Sequence, residues 1–185
     1  MSPRRALAGP LALAAGAVAL LAIAAPVVAA PARDGWAPAR EAAARDAAPW
    51  ATVNVCDTVG HPDGIGVRGW MPGTGDRRDE LFMRIQVQFL RRADNTWHAL
   101  GGSGDSGFVD AGNGAAARGR QSGRTFTLSP PAGGKPAFVL RGLVTFEWRR
   151  DGVAERRVRR VTTAGHPGTP GADPEDSSAA TCSIR

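Results

Sequence analysis

Apolar and polar residues alternate along the segment from residue 81 to residue 89. Every second position, from Leu81 to Phe89, carries a large apolar side chain, whereas Arg84, Gln86 and Gln88 lie between them. Successive side chains of a β-strand point to opposite faces of the sheet. The pattern therefore predicts a strand with one buried face and one face in water.

A second and longer alternation runs over residues 138–148 and places Val144, Phe146 and Trp148 on one face. Two strands with such apolar faces predict a core between sheets. Weaker alternations, bounded by Gly, Pro, Asn and Asp, predict further strands over 52–56, 65–71, 96–100, 108–110, 124–129 and 180–184. No helical period is visible beyond residue 50, so we expect an all-β fold, an antiparallel β-sandwich of about eight or nine strands.

An Asp-Gly pair at 151–152 marks a hairpin between the strand that ends at Trp148 and a strand over 153–163. A three-residue loop would place Trp148 opposite Ala154, whereas a two-residue loop would place it opposite Glu155. Because the first register keeps apolar positions opposite each other, we expect the three-residue loop.

The first 32 residues have the pattern of a signal peptide. Arg4 and Arg5 precede a run without charged residues that continues through Ala32. Small residues favour cleavage after Ala32, and the motifs at 28–30 and 22–24 are alternative sites. An uncleaved membrane anchor is the alternative to cleavage, because the apolar run is long enough to cross a bilayer. We therefore expect a secreted or extracellular protein.

Residues 33–49 mix Ala, Arg, Asp and Pro and contain few large apolar side chains. Such a composition is typical of a flexible spacer. The β-sandwich domain is then expected over residues 50–185.

Two cysteines, Cys56 and Cys182, lie near the two ends of this domain. An even number of cysteines in an exported chain predicts a disulfide, here between the first and last strands. Closing so long a loop would stabilise the fold by about 4 to 5 kcal/mol in the chain-entropy model. Two separate buried thiols are the alternative.

The formal net charge of +6 falls by two, to +4, when the two arginines of the signal peptide are removed. Lys135 is the only lysine in the chain. A high content of Arg, Ala and Gly is typical of GC-rich genomes, so basicity alone does not indicate nucleic-acid binding.

Cys56 is followed by a predicted strand that ends at Trp70. This spacing resembles the strand B cysteine and strand C tryptophan of the immunoglobulin-like superfold, and the resemblance implies a sandwich of immunoglobulin-like or fibronectin type III-like shape. The second cysteine lies at the C-terminal end and the chain contains no tyrosine, so the tyrosine corner of that superfold is absent. Such folds host many functions, so no activity is implied.

Two motifs have the form of chemical sites. The tetrapeptide Gly104-Asp105-Ser106-Gly107 is similar to the nucleophile motif of chymotrypsin-like serine proteases. A hydrolase that uses Ser106 needs a histidine base and an orienting acid, and the chain offers only three separated histidines. The glycines of 64–69 match a dinucleotide fingerprint, but Pro72 prevents the helix that must follow.

The histidines lack the spacing of zinc ligands, so we expect neither a metal nor a cofactor, and no catalytic residue is assigned. The clearest remaining signal is a group of arginines in the hairpin. The alternation places four on one outer face as a possible polyanion patch: Arg141, Arg149, Arg157 and Arg159. Pairing with Glu147 and Glu155 would instead make this a simple solvated face.

These observations favour a non-catalytic binding or structural module, monomeric and outside the cell. Binding of cell-wall polymers or nucleic acid through the arginines is the alternative, and a hydrolase built on Ser106 is the third reading.

Overall fold

A computed structural model describes residues 47–185 of the chain. The predicted signal peptide and residues 33–46 of the predicted spacer lie outside the described residues. The described residues form nine strands and no α-helix: β1 (Trp50–Thr58), β2 (His61–Met71), β3 (Asp79–Arg91), β4 (Thr96–Ala99), β5 (Asp105–Asn113), β6 (Arg120–Thr127), β7 (Phe138–Arg150), β8 (Val153–Val161) and β9 (Cys182–Ile184). The predicted all-β fold is confirmed.

The strands form two antiparallel sheets. A three-stranded sheet has the order β1-β2-β6, and a six-stranded sheet has the order β4-β3-β7-β8. Strand β5 also pairs with β3, and β9 also pairs with β7. The two strands with the strongest alternation, β3 and β7, are neighbours over eleven residue pairs from Asp79↔Arg150 to Phe89↔Leu140.

The core lies between the two sheets and contains the apolar positions that the alternation predicted. Met83 and Phe146 of the large sheet are fully buried and lie against Gly69 of β2. A Cβ atom at Gly142 of β7 would lie only 2.6 Å from Cγ1 of Val67. The sheets therefore approach closely where glycine removes a side chain.

The predicted disulfide is confirmed. Cys56 on β1 and Cys182 on β9 are bonded, with their Cα atoms 5.3 Å apart and 126 positions apart in sequence. Because β1 belongs to the small sheet and β9 to the large one, the bond joins the two sheets.

The predicted three-residue hairpin loop is wrong. Arg150 pairs with Val153, so the turn consists of two residues, which both have positive φ, 50° at Asp151 and 79° at Gly152. Two such residues form the tight turn that matches the twist of a hairpin. A bulge at Trp148 then shifts the register by one residue and places Trp148 opposite Arg156. The error arose because a register argued from apolar matches did not include this bulge.

The segment after β8 returns along β1. The backbone N–H groups of Thr163, Asp173 and Ala179 donate to carbonyl oxygens of β1. The outward side chains of Thr52 and Asn54 on β1 are buried. Within the described residues, the outer face of the small sheet is thus partly covered, whereas that of the large sheet carries its own polar side chains.

Trp70, on which the resemblance to the immunoglobulin-like superfold depends, also lies on the outer side of the small sheet. Its ring stacks on Trp50 with the centroids 6.3 Å apart, and its Nε1 donates to the carbonyl oxygen of Arg118. Membership of that superfold stays a prediction.

Candidate functional site

The four arginines of the predicted patch lie on the outer face of the large sheet. Arg141 and Arg149 belong to β7, while Arg157 and Arg159 of β8 stand opposite Glu147 and Thr145. The bulge at Trp148 lies beyond these pairs and leaves the four side chains on one side. We call this surface the arginine face.

A buried carboxylate lies under the arginine face. Glu147 is only 1% exposed, and its two oxygens accept hydrogen bonds from different arginines. The Nε atom of Arg149 lies 2.8 Å from Oε2, and the Nε atom of Arg157 lies 2.5 Å from Oε1. One negative charge thus holds two guanidinium groups in fixed positions, and one positive charge remains.

Aromatic rings flank the same arginines. The guanidinium carbon of Arg149 lies 4.1 Å from the ring centroid of Phe82 on β3 and 4.7 Å from that of Phe108 on β5. A guanidinium held over aromatic rings can still donate hydrogen bonds to an anion through its N–H groups. Sequence reasoning missed these rings, although Phe82 interrupts the polar face of its strand and was a visible signal.

Arg141 occupies the other end of the arginine face. Its guanidinium carbon lies 4.3 Å from the ring centroid of Trp97 on β4, and its Nε donates to Oε1 of Gln88 at 2.8 Å. Partial burial lowers the pKa of Arg141 from its ordinary value, which still leaves the group charged at neutral pH. Trp97 was also absent from the predicted site.

Arg84 adds a fifth arginine to this face, paired with a carboxylate. Its guanidinium binds Asp105, with an Nε to Oδ1 distance of 2.9 Å. The hydrogen bond from Arg84 holds the pKa of Asp105 below its usual value, and the carboxylate raises the pKa of Arg84. The pair therefore contributes no excess charge.

The protease-like tetrapeptide has a structural position in the sheet. Ser106 Oγ accepts a hydrogen bond from the backbone N–H of Ile85 at 2.9 Å and donates to the carbonyl oxygen of Gly107 at 2.7 Å. These contacts fall where the register between β3 and β5 shifts. Between residues 47 and 185, no histidine is hydrogen-bonded to Ser106.

The histidines have other partners. His61 Nδ1 lies 3.1 Å from Oδ2 of Asp173, which also accepts a hydrogen bond from Thr58. These hydrogen bonds lower the pKa of Asp173, and the bond from Thr58 has the larger effect. His166 stacks on Trp50 with the centroids 4.3 Å apart. In the described part of the chain, no three His, Cys, Asp or Glu side chains are grouped as metal ligands.

The glycines that match the dinucleotide fingerprint lie within β2 rather than before a helix. A Cβ atom at Gly66 would lie 2.7 Å from Cβ of Val55, and one at Gly69 would lie 3.0 Å from the ring of Phe146. Their role is close packing between neighbouring strands and between the sheets.

No protein-family model matches this sequence, and no curated protein matches it at a significant level. Over residues 47–185, the structure contains no helix that is long and apolar enough to cross a membrane.

Proposed function

We propose that this protein is a non-catalytic binding module that works outside the cytoplasm and holds an anionic polymer on its arginine face. The observation that carries the proposal is the arrangement of Arg149 and Arg157 around the single carboxylate of Glu147. Two cations fixed by one buried anion leave positive charge on a rigid surface, which is the requirement for binding a polyanion without ordering flexible side chains.

Positive charge is concentrated on the β7–β8 side of the face. Arg159 has no carboxylate partner among the described residues, and Arg149 and Arg157 share one. Two exposed acids lie toward β3 and β5: Glu80 stands opposite Arg149, and Asp110 stands opposite Phe82. An anionic chain would therefore follow the β7–β8 hairpin.

The cations form a row along the hairpin. Arg141 and Arg149 mark its two ends on β7. Between them, on β8, Arg159 stands opposite Thr145 and Arg157 stands opposite Glu147. At about 3.3 Å per residue, the backbone positions of the row span roughly 26 Å along the strands, with a first step of about 13 Å and two further steps of about 7 Å. A row of this length suits a polymer with several charges better than a small anion.

The aromatic rings of the arginine face are covered by arginine side chains, which favours a ligand with charged groups over one that stacks its bases on the rings. Phe82 and Phe108 are each occupied by the guanidinium of Arg149, and Trp97 by that of Arg141. Binding of single-stranded nucleic acid depends on rings that are open to stack on bases. The face therefore fits phosphate, carboxylate or sulfate groups of an acidic cell-envelope polymer.

Two features support a location outside the cytoplasm. The first 32 residues have the pattern of a signal peptide, and Cys56 forms a disulfide with Cys182. Such bonds persist in oxidising compartments and are rare in the cytosol.

Elution from immobilised heparin in a salt gradient tests the proposal. The double variant Arg157→Gln/Arg159→Gln should elute at clearly lower salt than the wild type, because two of the four cations are lost. The matched control is Arg77→Gln/Arg124→Gln, which removes the same charge from two exposed positions elsewhere. Glutamine is used rather than glutamate because a new acid opposite Glu147 would place two like charges side by side.

If both double variants elute at the same salt, binding depends on net charge alone and the arginine face is not the site. Circular dichroism checks that both variants are folded. Competition with single-stranded DNA and with an acidic polysaccharide of equal charge distinguishes the polymers, and stronger competition by the DNA would contradict the preference for charged groups.

A further inference from the structure

An apolar cleft lies at the end of the sandwich where β3 ends and β7 begins. It has a volume of about 450 Å³, within the range of small-molecule sites. Its apolar walls come from the large sheet and from the residues that follow β4 and β6: Phe89, Leu100, Leu128, Phe138 and Leu140. Ser103, Thr127 and Ser129 are among its polar residues.

The cleft exists because the inner face of the large sheet extends beyond the small sheet. Phe89 and Phe138 continue the apolar alternation of β3 and β7, but β6 ends at Thr127. Phe138 is consequently 40% exposed. Together with Leu100 and Leu128, this side chain lines a continuous apolar surface that is open to an apolar ligand.

Two cations lie beside the cleft. A neighbouring groove of about 360 Å³ shares Phe89 and Phe138 with it and adds Arg92 and Lys135. A terminal nitrogen of Arg92 donates to the carbonyl oxygen of Ala137 at 3.2 Å, which holds the guanidinium at this groove. Over residues 47–185, neither Arg92 nor Lys135 is among the residues that form ion pairs.

We propose that this cleft binds the alkyl chain of an anionic amphiphile, with its acidic head between Arg92 and Lys135. The apolar walls suit a hydrocarbon chain, and the adjacent cations select a carboxylate or phosphate over a neutral or cationic head. The cleft that takes the alkyl chain is distinct from the arginine face, because Phe89 and Phe138 belong to the inner side of the large sheet, and the proposal does not depend on polymer binding.

Calorimetric titration with three probes tests the proposal: dodecanoate, dodecyltrimethylammonium and butanoate, each below its micelle concentration. Dodecanoate should bind, the cation of equal chain length should bind at least about tenfold more weakly, and butanoate should show no measurable binding. Equal binding of dodecanoate and the cation would overturn the role of Arg92 and Lys135.

Two variants separate the head from the chain. The variant Arg92→Gln/Lys135→Gln should bind dodecanoate about tenfold more weakly than the wild type. Its affinity for dodecyltrimethylammonium should not fall. Phe138→Ser, at a partly exposed position that tolerates a polar residue, should weaken both. Unchanged dodecanoate affinity in either variant, with Arg77→Gln/Arg124→Gln as the charge control, would overturn the proposal.

The single lysine supplies an independent readout. Acetylation of Lys135 by an amine-reactive reagent, followed by mass spectrometry, should slow several-fold when dodecanoate is present but not when butanoate is. An acetylation rate at Lys135 that dodecanoate leaves unchanged would place the ligand elsewhere.

Discussion

The carboxylate of Glu147 on β7 binds the guanidinium of Arg157 on β8 directly across the strand pair. The acid is 1% exposed, whereas the arginine side chain is 57% exposed. The pair thus joins a buried carboxylate to an exposed guanidinium. Removing the negative charge of Glu147 should therefore lower the stability of the fold and raise the positive charge of the arginine face.

Replacement Glu147→Gln should lower stability and raise affinity for polyanions. Loss of the buried carboxylate removes charge-assisted hydrogen bonds to Arg149 and Arg157, which costs about 1 to 3 kcal/mol of unfolding free energy. The variant also adds one positive charge to the arginine face, so it should elute from heparin at higher salt. Urea unfolding and heparin elution measure the two effects. Glu175→Gln, at an exposed loop position, is the charge-matched control, and equal elution of the two variants would contradict a local effect.

Removal of the disulfide should weaken the fold strongly. The bond closes a loop across 126 positions, and its loss should cost about 4 to 5 kcal/mol by the chain-entropy model. The double variant Cys56→Ser/Cys182→Ser tests this by urea unfolding with and without a thiol reductant. Reductant should destabilise the wild type and leave the variant unchanged. A variant as stable as the oxidised wild type would contradict the prediction.

A methyl group at Gly142 should force the two sheets apart locally. A Cβ atom there would lie 2.6 Å from Cγ1 of Val67 and 2.8 Å from Cγ2 of Thr162. Both neighbours are β-branched and have few alternative rotamers, so Gly142→Ala should lose about 1 to 3 kcal/mol. Gly133→Ala is the control, because no heavy atom lies within 4 Å of its Cβ position. Equal thermal stability of the two variants would show that the interface relaxes without cost.

The Asp76 carboxylate should make stability depend on acid pH. Hydrogen bonds from Arg78, with a smaller contribution from Arg150, lower the pKa of Asp76 to about 2. A group with a lowered pKa stabilises the fold above its unfolded value of about 3.9, and this contribution is lost as the pH falls toward the folded value.

The unfolding midpoint of Asp76→Asn should therefore lie below that of the wild type at pH 6, and the gap should close between about pH 4 and pH 2. Thermal melts of both proteins across this range measure the gap. A gap independent of pH would mean that the carboxylate acts through shape rather than charge.

Local alternation determined most of the strands. Leu81 to Phe89 and the run from Phe138 to Trp148 each repeat over many residues, so their period is visible without knowledge of their partners. The disulfide was also predictable, because two cysteines allow only one pairing. The four arginines share one face because the two-residue turn and the bulge at Trp148 together move the register by two residues from the predicted one, and a shift of two residues leaves every side chain on the same face.

The surroundings of the arginines were not predictable in the same way. Phe82, Trp97 and Phe108 meet Arg141 and Arg149 only because β4 and β5 both pair with β3. The order of strands in a sheet is set by pairing between distant segments, and such pairing produces no periodic pattern of apolar residues in the sequence.

The sequence by itself determined which residues face inward and which outward, because that choice depends on hydrophobicity at alternate positions along one strand. Only the tertiary structure decided that β6 stops short of Phe89 and Phe138 and opens an apolar cleft beside Arg92 and Lys135. The length by which one sheet exceeds another results from how separate strands pack together, and no single strand carries that information.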